Sequence, residues 1–104
     1  MEPVRIGLLG LGTVGGGTVT VLTRNAAEIA RRAGREIRIA RAAAIQYNPA
    51  IPGLDQVGHI SNDAFALVDD PQIDIVIELI GGFSPARELV LKAIAYGKHV
   101  VTAN

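Results

Sequence analysis

The chain has 104 residues, of which 49% are hydrophobic and 19% charged, with ten basic and ten acidic side chains and no cysteine. That composition describes one globular domain able to bury a core without staples, and it excludes disulfides and thiolate metal sites. The zero net charge argues against nucleic acid or an anionic membrane as partner, and no run approaches the roughly 20 apolar residues that span a bilayer.

Residues 4–10, VRIGLLG, are an apolar run between Pro3 and a cluster of glycines, the pattern of a strand buried on both faces. From Thr13 to about Ala33 the period turns helical. Val14, Val21, Leu22, Ile29 and the alanines make one stripe, Arg24, Glu28, Arg31 and Arg32 face away, and Gly34 ends the helix. A second strand is expected over residues 37–45, IRIARAAAI. Residues 46–58 hold two prolines and two glycines and read as a long loop, functional or mobile. A short edge strand at 59–61 precedes a helix over 63–70, capped by Ser61 or Asn62 and stopped by Pro71. Residues 73–82, IDIVIELIGG, are the plainest strand. Ser84 and Pro85 then open a helix that runs to about Tyr96, with Leu89, Val90, Ala93 and Ile94 inward and Gly97 closing it. KHVVTAN, 98–104, begins a last strand. This alternation implies an α/β fold with a doubly wound, mostly parallel sheet, right-handed crossovers and helices on both faces.

The stretch GLLGLGTVGGGT, residues 7–18, contains six glycines. Gly10, Gly12 and Gly15 fit G-x-G-x-x-G, placed between a strand and a helix as in a Rossmann dinucleotide site. Gly10 then makes the turn out of the strand, Gly12 lets backbone approach a pyrophosphate, and Gly15 lets the helix pack on the sheet. The amides of residues 11–14 and the helix dipole favour the phosphates' negative charge. Gly16 and Gly17 weaken the helix start without benefit unless something approaches closely. At the end of the second strand an acid would hold ribose hydroxyls and an arginine would pair with a 2′-phosphate. Ile45 and Gln46 stand there instead. Gln46 suits a ribose hydroxyl, Ile45 suits the face of adenine, and Tyr47 is a second candidate for stacking, although loop exposure explains it more simply.

Other candidates have plainer readings. Glu78, an acid in an apolar strand, fits a structural carboxylate near a strand end, satisfied by backbone amides or a neighbouring base, better than a catalytic one. His99, near the expected active-site edge, fits a structural or solvent-facing role. Arg24, Arg31, Arg32, Arg35 and Arg38 read as a solvated helix face and its flank. Asp69, Asp70 and Asp74 would all have to converge to bind a metal, and His59 and His99 lack metal-ligand spacing, so no metal site is expected.

GLGTVGGGT, RNAAEIARRAGREI, DPQIDIVIELIGG and SPARELVLKAIAYGKHVVTAN together resemble the N-terminal nucleotide-binding domain of homoserine dehydrogenase, in register over essentially the whole chain. The glycines alone are shared by many enzymes; ELIGG followed by a proline-opened helix and GKHVVTAN is more specific. The resemblance implies hydride transfer between L-homoserine and L-aspartate 4-semialdehyde with NAD(H) or NADP(H), on the way to threonine, methionine and isoleucine. It implies that Thr13 and Val14 sit against the cofactor's pyrophosphate and ribose, that Ile80 and Gly81 lie along its middle, and that Thr102 to Asn104 approach the nicotinamide. It also implies a homo-oligomeric enzyme; a cytoplasmic protein is expected from the residues themselves, because MEPVRIGLLGLG is no convincing signal peptide.

Two departures shape the expectation. In the family a lysine follows VVTAN and a catalytic, dimerising domain comes next, so residues 1–104 are expected to be a cofactor-binding domain without catalytic residues of its own, its oligomeric state left open. Many family members carry arginine where Ile45 and Gln46 stand, so NADH is expected to bind at least as well as NADPH unless Arg41 reaches the strand end. Two rivals stay in view: the nucleotide-binding domain of another amino-acid-pathway reductase, and a non-catalytic nucleotide-sensing module.

Overall fold

The computed structural model describes residues 2–80 and 85–102. Five strands form one sheet: β1 (Val4–Leu9), β2 (Ile37–Ala43), β3 (His59–Ser61), β4 (Ile75–Glu78) and β5 (His99–Thr102). Their spatial order is β3-β2-β1-β4-β5 and every pairing is parallel. The chain winds one way from β1 to β3 and the other way from β4 to β5, so the direction reverses between β1 and β4. In open α/β sheets the crevice beyond the strands' carboxyl ends at such a reversal is where ligands bind.

Because side chains alternate along a strand, Leu8 and Leu9 go to opposite faces of β1 and seed two cores. Leu9 packs with Leu67 and Val68 of α3 (Ala64–Asp69) and with Leu89 and Ala93 of α4 (Ala86–Ala95). Leu8 packs with Val19 of α1 (Thr13–Arg24), with Ile39 and Ala42 of β2, and with Leu54 and Val57. Burying each such side chain stabilises the fold by about 1.5–3 kcal/mol. Among the described residues no helix is long and apolar enough to cross a membrane.

The long helix expected from Thr13 to Ala33 is two helices, α1 and α2 (Ala26–Ala33), divided at Asn25. The Asn25 side-chain amide donates to the Val21 carbonyl at 2.9 Å, a local bond that competes with helix continuation. Val14 and Val21 are exposed, and the residues α1 buries are Gly15, Gly16 and Val19. The start of α1 meets the end of β1 through Gly15 because it lies too close there for a larger side chain. α2 buries nothing and carries Glu28 paired with Arg31 and, at 2.7 Å, with Arg32.

Residues 46–58 are a strap rather than an open loop. Leu54 and Val57, flanking a short 3₁₀ turn at Leu54–Gln56, are buried in the α1 core. The Thr20 hydroxyl donates to the Pro52 carbonyl at 2.8 Å. Gly53, at φ +89°, lies so close to Thr23 that a Cβ would fall 2.0 Å from its hydroxyl oxygen. The cap of α3 is Asp63, whose carboxylate accepts the Ala66 amide at 3.0 Å; Ser61 instead accepts the Asp63 amide, and Asn62 takes no part. β4 is shorter than expected, although backbone bonds from Asp74 to Arg5 and from Leu79 to Leu9 extend its pairing beyond Ile75–Glu78. On α4, Leu89 and Ala93 are buried and Val90 half-buried, whereas Ile94 is exposed. Ser84 and the strand residues 79–82 in part lie outside the described residues, as do 103 and 104.

Candidate functional site

The backbone leaves β1 through Gly10, whose φ of +103° is disfavoured for any residue with a Cβ. Its amide donates to the Ala43 carbonyl at 2.8 Å, tying the turn to the end of β2. A Cβ at Gly15 would lie 2.1 Å from the Gly10 carbonyl oxygen, so the first turn of α1 sits directly on the end of β1. Between them Leu11 is buried as an anchor and Gly12 is exposed.

Gly12 differs from Gly10, Gly15 and Gly16. Its φ of −72° is ordinary for any residue, and a Cβ there would meet nothing within 4 Å. Nothing among the described residues requires glycine at that position; close approach by another molecule would. Gly12 is also the N-cap of α1, without a side-chain cap bond and with no acid in the first turn. The first amide bonded within the helix is that of Gly16, to the Gly12 carbonyl at 2.7 Å. The amides of Thr13, Val14 and Gly15 therefore have no intrahelical partner and sit at the positive end of a twelve-residue helix. This donor set fits a phosphate group, and the gap at Gly12 fits its approach.

Two cavities flank the turn. One, about 460 Å³, lies on the β2–α3 side, between Ala43, Ile45, Phe65, Leu79 and Ile80. The other, about 600 Å³, lies between α1 and the strap, with Thr13, Gly17, Thr20, Tyr47 and Asn48 on its walls. Leu11, Gly12 and Gln46 line both and form the ridge between them. Among the described residues no lysine or arginine lines either cavity.

Arg41 does not compensate. The register of β1 with β2 shifts between Ile6 and Gly7, so Ile39 pairs with Ile6 but Arg41 with Gly7. One extra residue turns the Arg41 side chain to the α3 face of the sheet. There it meets the Asp70 carboxylate at 3.2 Å and the Ala66 carbonyl at 3.3 Å, away from Ile45. The Gln72 amide, donating to Asp70 at 2.8 Å, and then the Arg41 guanidinium hold the Asp70 carboxyl below the ordinary carboxylate range.

Of the other expected site residues, Ile45 is 91% exposed and Ile80 41% exposed, on facing sides of the smaller cavity. Thr13 lines the larger cavity, and Val14 is exposed at the helix start. Thr102 ends β5 in register with Glu78, at the same edge of the sheet. Gly81 and Asn104 lie outside the described residues. Tyr47 faces the larger cavity and does not stand opposite Ile45. The buried carboxylate of Glu78 accepts the Ile80 amide at 2.7 Å, a backbone-satisfied acid as expected. His99 starts β5, paired with Ile75, and so stands at the opposite end of the sheet from the crevice rather than near it.

The sequence reading missed Asn62, Asp63 and Phe65, which enter the smaller cavity from the start of α3. Their local pattern is that of an ordinary capped helix. Only the placement of β3 beside β2 brings them to Ile45.

Comparison with known proteins agrees with this geometry. The family model described as homoserine dehydrogenase, NAD binding domain, matches residues 10–104. Over all 104 residues the chain is 62% identical to a homoserine dehydrogenase of Methylobacillus glycogenes, covering 25% of that protein. It is 58% identical to one of Pseudomonas aeruginosa, covering 24% of it. A crystal structure of a homoserine dehydrogenase from Thiobacillus denitrificans superposes with a TM-score of 0.85 at 59% identity, over 100% of this chain and 24% of that one. The chain thus spans about a quarter of the length of the relatives it matches.

Proposed function

The chain belongs to the homoserine dehydrogenase NAD-binding domain family, and from that premise we propose that it binds a nicotinamide dinucleotide across the Gly10–Gly15 turn, for oxidoreduction between L-homoserine and L-aspartate 4-semialdehyde. The observation that carries the reading is Gly12, an uncapped helix start with open space where a side chain would stand. The Thr13, Val14 and Gly15 amides receive the pyrophosphate. Gln46, on the ridge between the cavities, takes a ribose hydroxyl, and Ile45 packs on the base. Ile80 follows the middle of the cofactor, and Thr102 stands toward the nicotinamide, which supplies the hydride chemistry when bound.

NAD(H) binds at least as well as NADP(H). A 2′-phosphate needs a cation, neither cavity has one among the described residues, and Arg41 is held by Asp70. Losing a charge-assisted hydrogen bond costs roughly 1.5–3 kcal/mol, about ten- to a hundred-fold in affinity. Homoserine binding and proton transfer belong to residues outside 1–104, in an oligomeric enzyme, so these residues alone bind cofactor without turning over homoserine.

Calorimetric titration with NAD⁺, NADH, NADP⁺ and NADPH tests the reading. Binding of NADH at least as tight as NADPH is expected. NADPH tighter by tenfold refutes the preference, and no binding of any of the four refutes the site.

A further inference from the structure

Three large apolar side chains from three separate segments rim the smaller cavity: Ile45 after β2, 91% exposed; Phe65 on α3, 38% exposed; and Ile80 after β4, 41% exposed. Single exposed apolar residues need no explanation, but a convergent set around a cavity marks a binding surface. Ala43, Ala44 and Leu79 extend the apolar lining, and Gln46, Asn62 and Asp63 add a few polar groups at its margin. Flat apolar walls with polar groups at the edge suit a heteroaromatic ring. The larger cavity, with Thr13, Thr20, Gln46 and Asn48, suits sugar and phosphate better.

Among the described residues Phe65 is the single aromatic one lining the smaller cavity. The ammonium of Lys92 stands over it, 5.4 Å from the ring centroid, and 5.9 Å from the Tyr96 ring. Asp69, on the same helix as Phe65, fixes that ammonium at 3.5 Å. A cation over one face of a ring is attracted to it and leaves the opposite face for a second partner.

We infer that Phe65 is the platform on which the adenine ring of the dinucleotide stacks, with Ile45 and Ile80 closing the remaining sides. Phe65 is then a determinant of base binding contributed by α3, outside the glycine turn and the end of β2. The inference rests on the dinucleotide reading above, and its test separates the two.

Dissociation constants for NADH, ADP and reduced nicotinamide mononucleotide are measured by calorimetry on the unaltered chain and on Phe65→Ala and Phe65→Leu. Both variants are expected to weaken NADH and ADP about tenfold, in line with base–aromatic stacking. The mononucleotide carries no adenine and is expected to bind unchanged. ADP affinity retained in Phe65→Leu overturns the inference whatever Phe65→Ala does, because leucine keeps the bulk and removes only the π face. Equal weakening of the mononucleotide in both variants overturns it too, because Phe65 then acts on the glycine turn and not on the base. If the unaltered chain binds neither NADH nor ADP, the dinucleotide reading has failed first and the inference falls with it.

Discussion

The contact between Gly15 and the Gly10 carbonyl can be tested by making one substitution at two neighbouring positions. In Gly15→Ala the added methyl would stand 2.1 Å from that oxygen and 2.7 Å from its carbon. Both are backbone atoms and cannot rotate away. Carbon and carbonyl oxygen approach to about 3.3 Å, so α1 must retreat by roughly 1.2 Å. Val19 and Leu11, now 0% and 3% exposed, ride on that helix start and would lose contact with Leu8 and Ile39. A gap near 1 Å forfeits about a quarter to a half of the dispersion attraction, and overpacking costs about 1–3 kcal/mol or more. Alanine's better helix propensity returns about 1 kcal/mol. The net expectation is a loss of about 2 kcal/mol, which for a domain of this size lowers the midpoint by about 8–16 °C. Gly17→Ala is the control. It lies on the same helix, yet a Cβ there meets nothing within 4 Å. It should gain about 0.5–1 kcal/mol and raise the midpoint by several degrees. Thermal denaturation of both variants followed by circular dichroism reads the difference. Midpoints shifting together, in either direction, would show that α1 does not press on β1, and the close-packed turn would have to be abandoned.

The same turn predicts a separation of stability from binding. Gly12→Ser supplies a capping hydroxyl and should hold or raise the melting temperature, while NADH affinity falls by about tenfold or more as the side chain enters the phosphate's space; unchanged affinity would place the ligand elsewhere. Ile45→Arg should improve NADPH relative to NADH by about ten- to a hundred-fold, read by titration with both; an unchanged ratio would mean that the 2′-position does not face the end of β2. Asp70 titrates below its ordinary value when folded, so its contribution is complete above the unfolded carboxylate pKa of about 3.9 and fades as pH falls through the lower folded value. Denaturant unfolding should therefore show Asp70→Asn less stable than the parent at pH 7, with the gap narrowing as pH falls below the unfolded carboxylate pKa of about 3.9; a gap independent of pH would assign the effect to packing.

Much of the scaffold is legible from local chemistry. The apolar runs VRIGLLG and IDIVIELIGG cannot stay in water, and their length and branching suit buried strands. Gly10 and Gly15 announce the turn because few other residues tolerate what that turn requires. The fold class follows from strict alternation of strand and helix signals, without knowledge of which strands touch. Sequence reading failed where a side chain's choice of partner, near or far along the chain, decides the outcome. The break at Asn25 depends on a side chain choosing a carbonyl over solvent. Gly16 looked like room for a ligand, but Ile51 of the strap is what approaches it, 3.2 Å from where its Cβ would be.

Residue spacing alone determined that a glycine turn joins a buried strand to a helix with open amides, because backbone sterics and helix-end polarity act over a few residues. Only the folded arrangement decided what surrounds that turn. The strand order β3-β2-β1-β4-β5 brings Phe65 and Ile80 to Ile45 from opposite sides, and one shift of register commits Arg41 to Asp70. Cavities and ion pairs are made by side chains meeting across the sheet, and those meetings are set by pairing and packing between segments whose separation along the chain gives no sign of their contact.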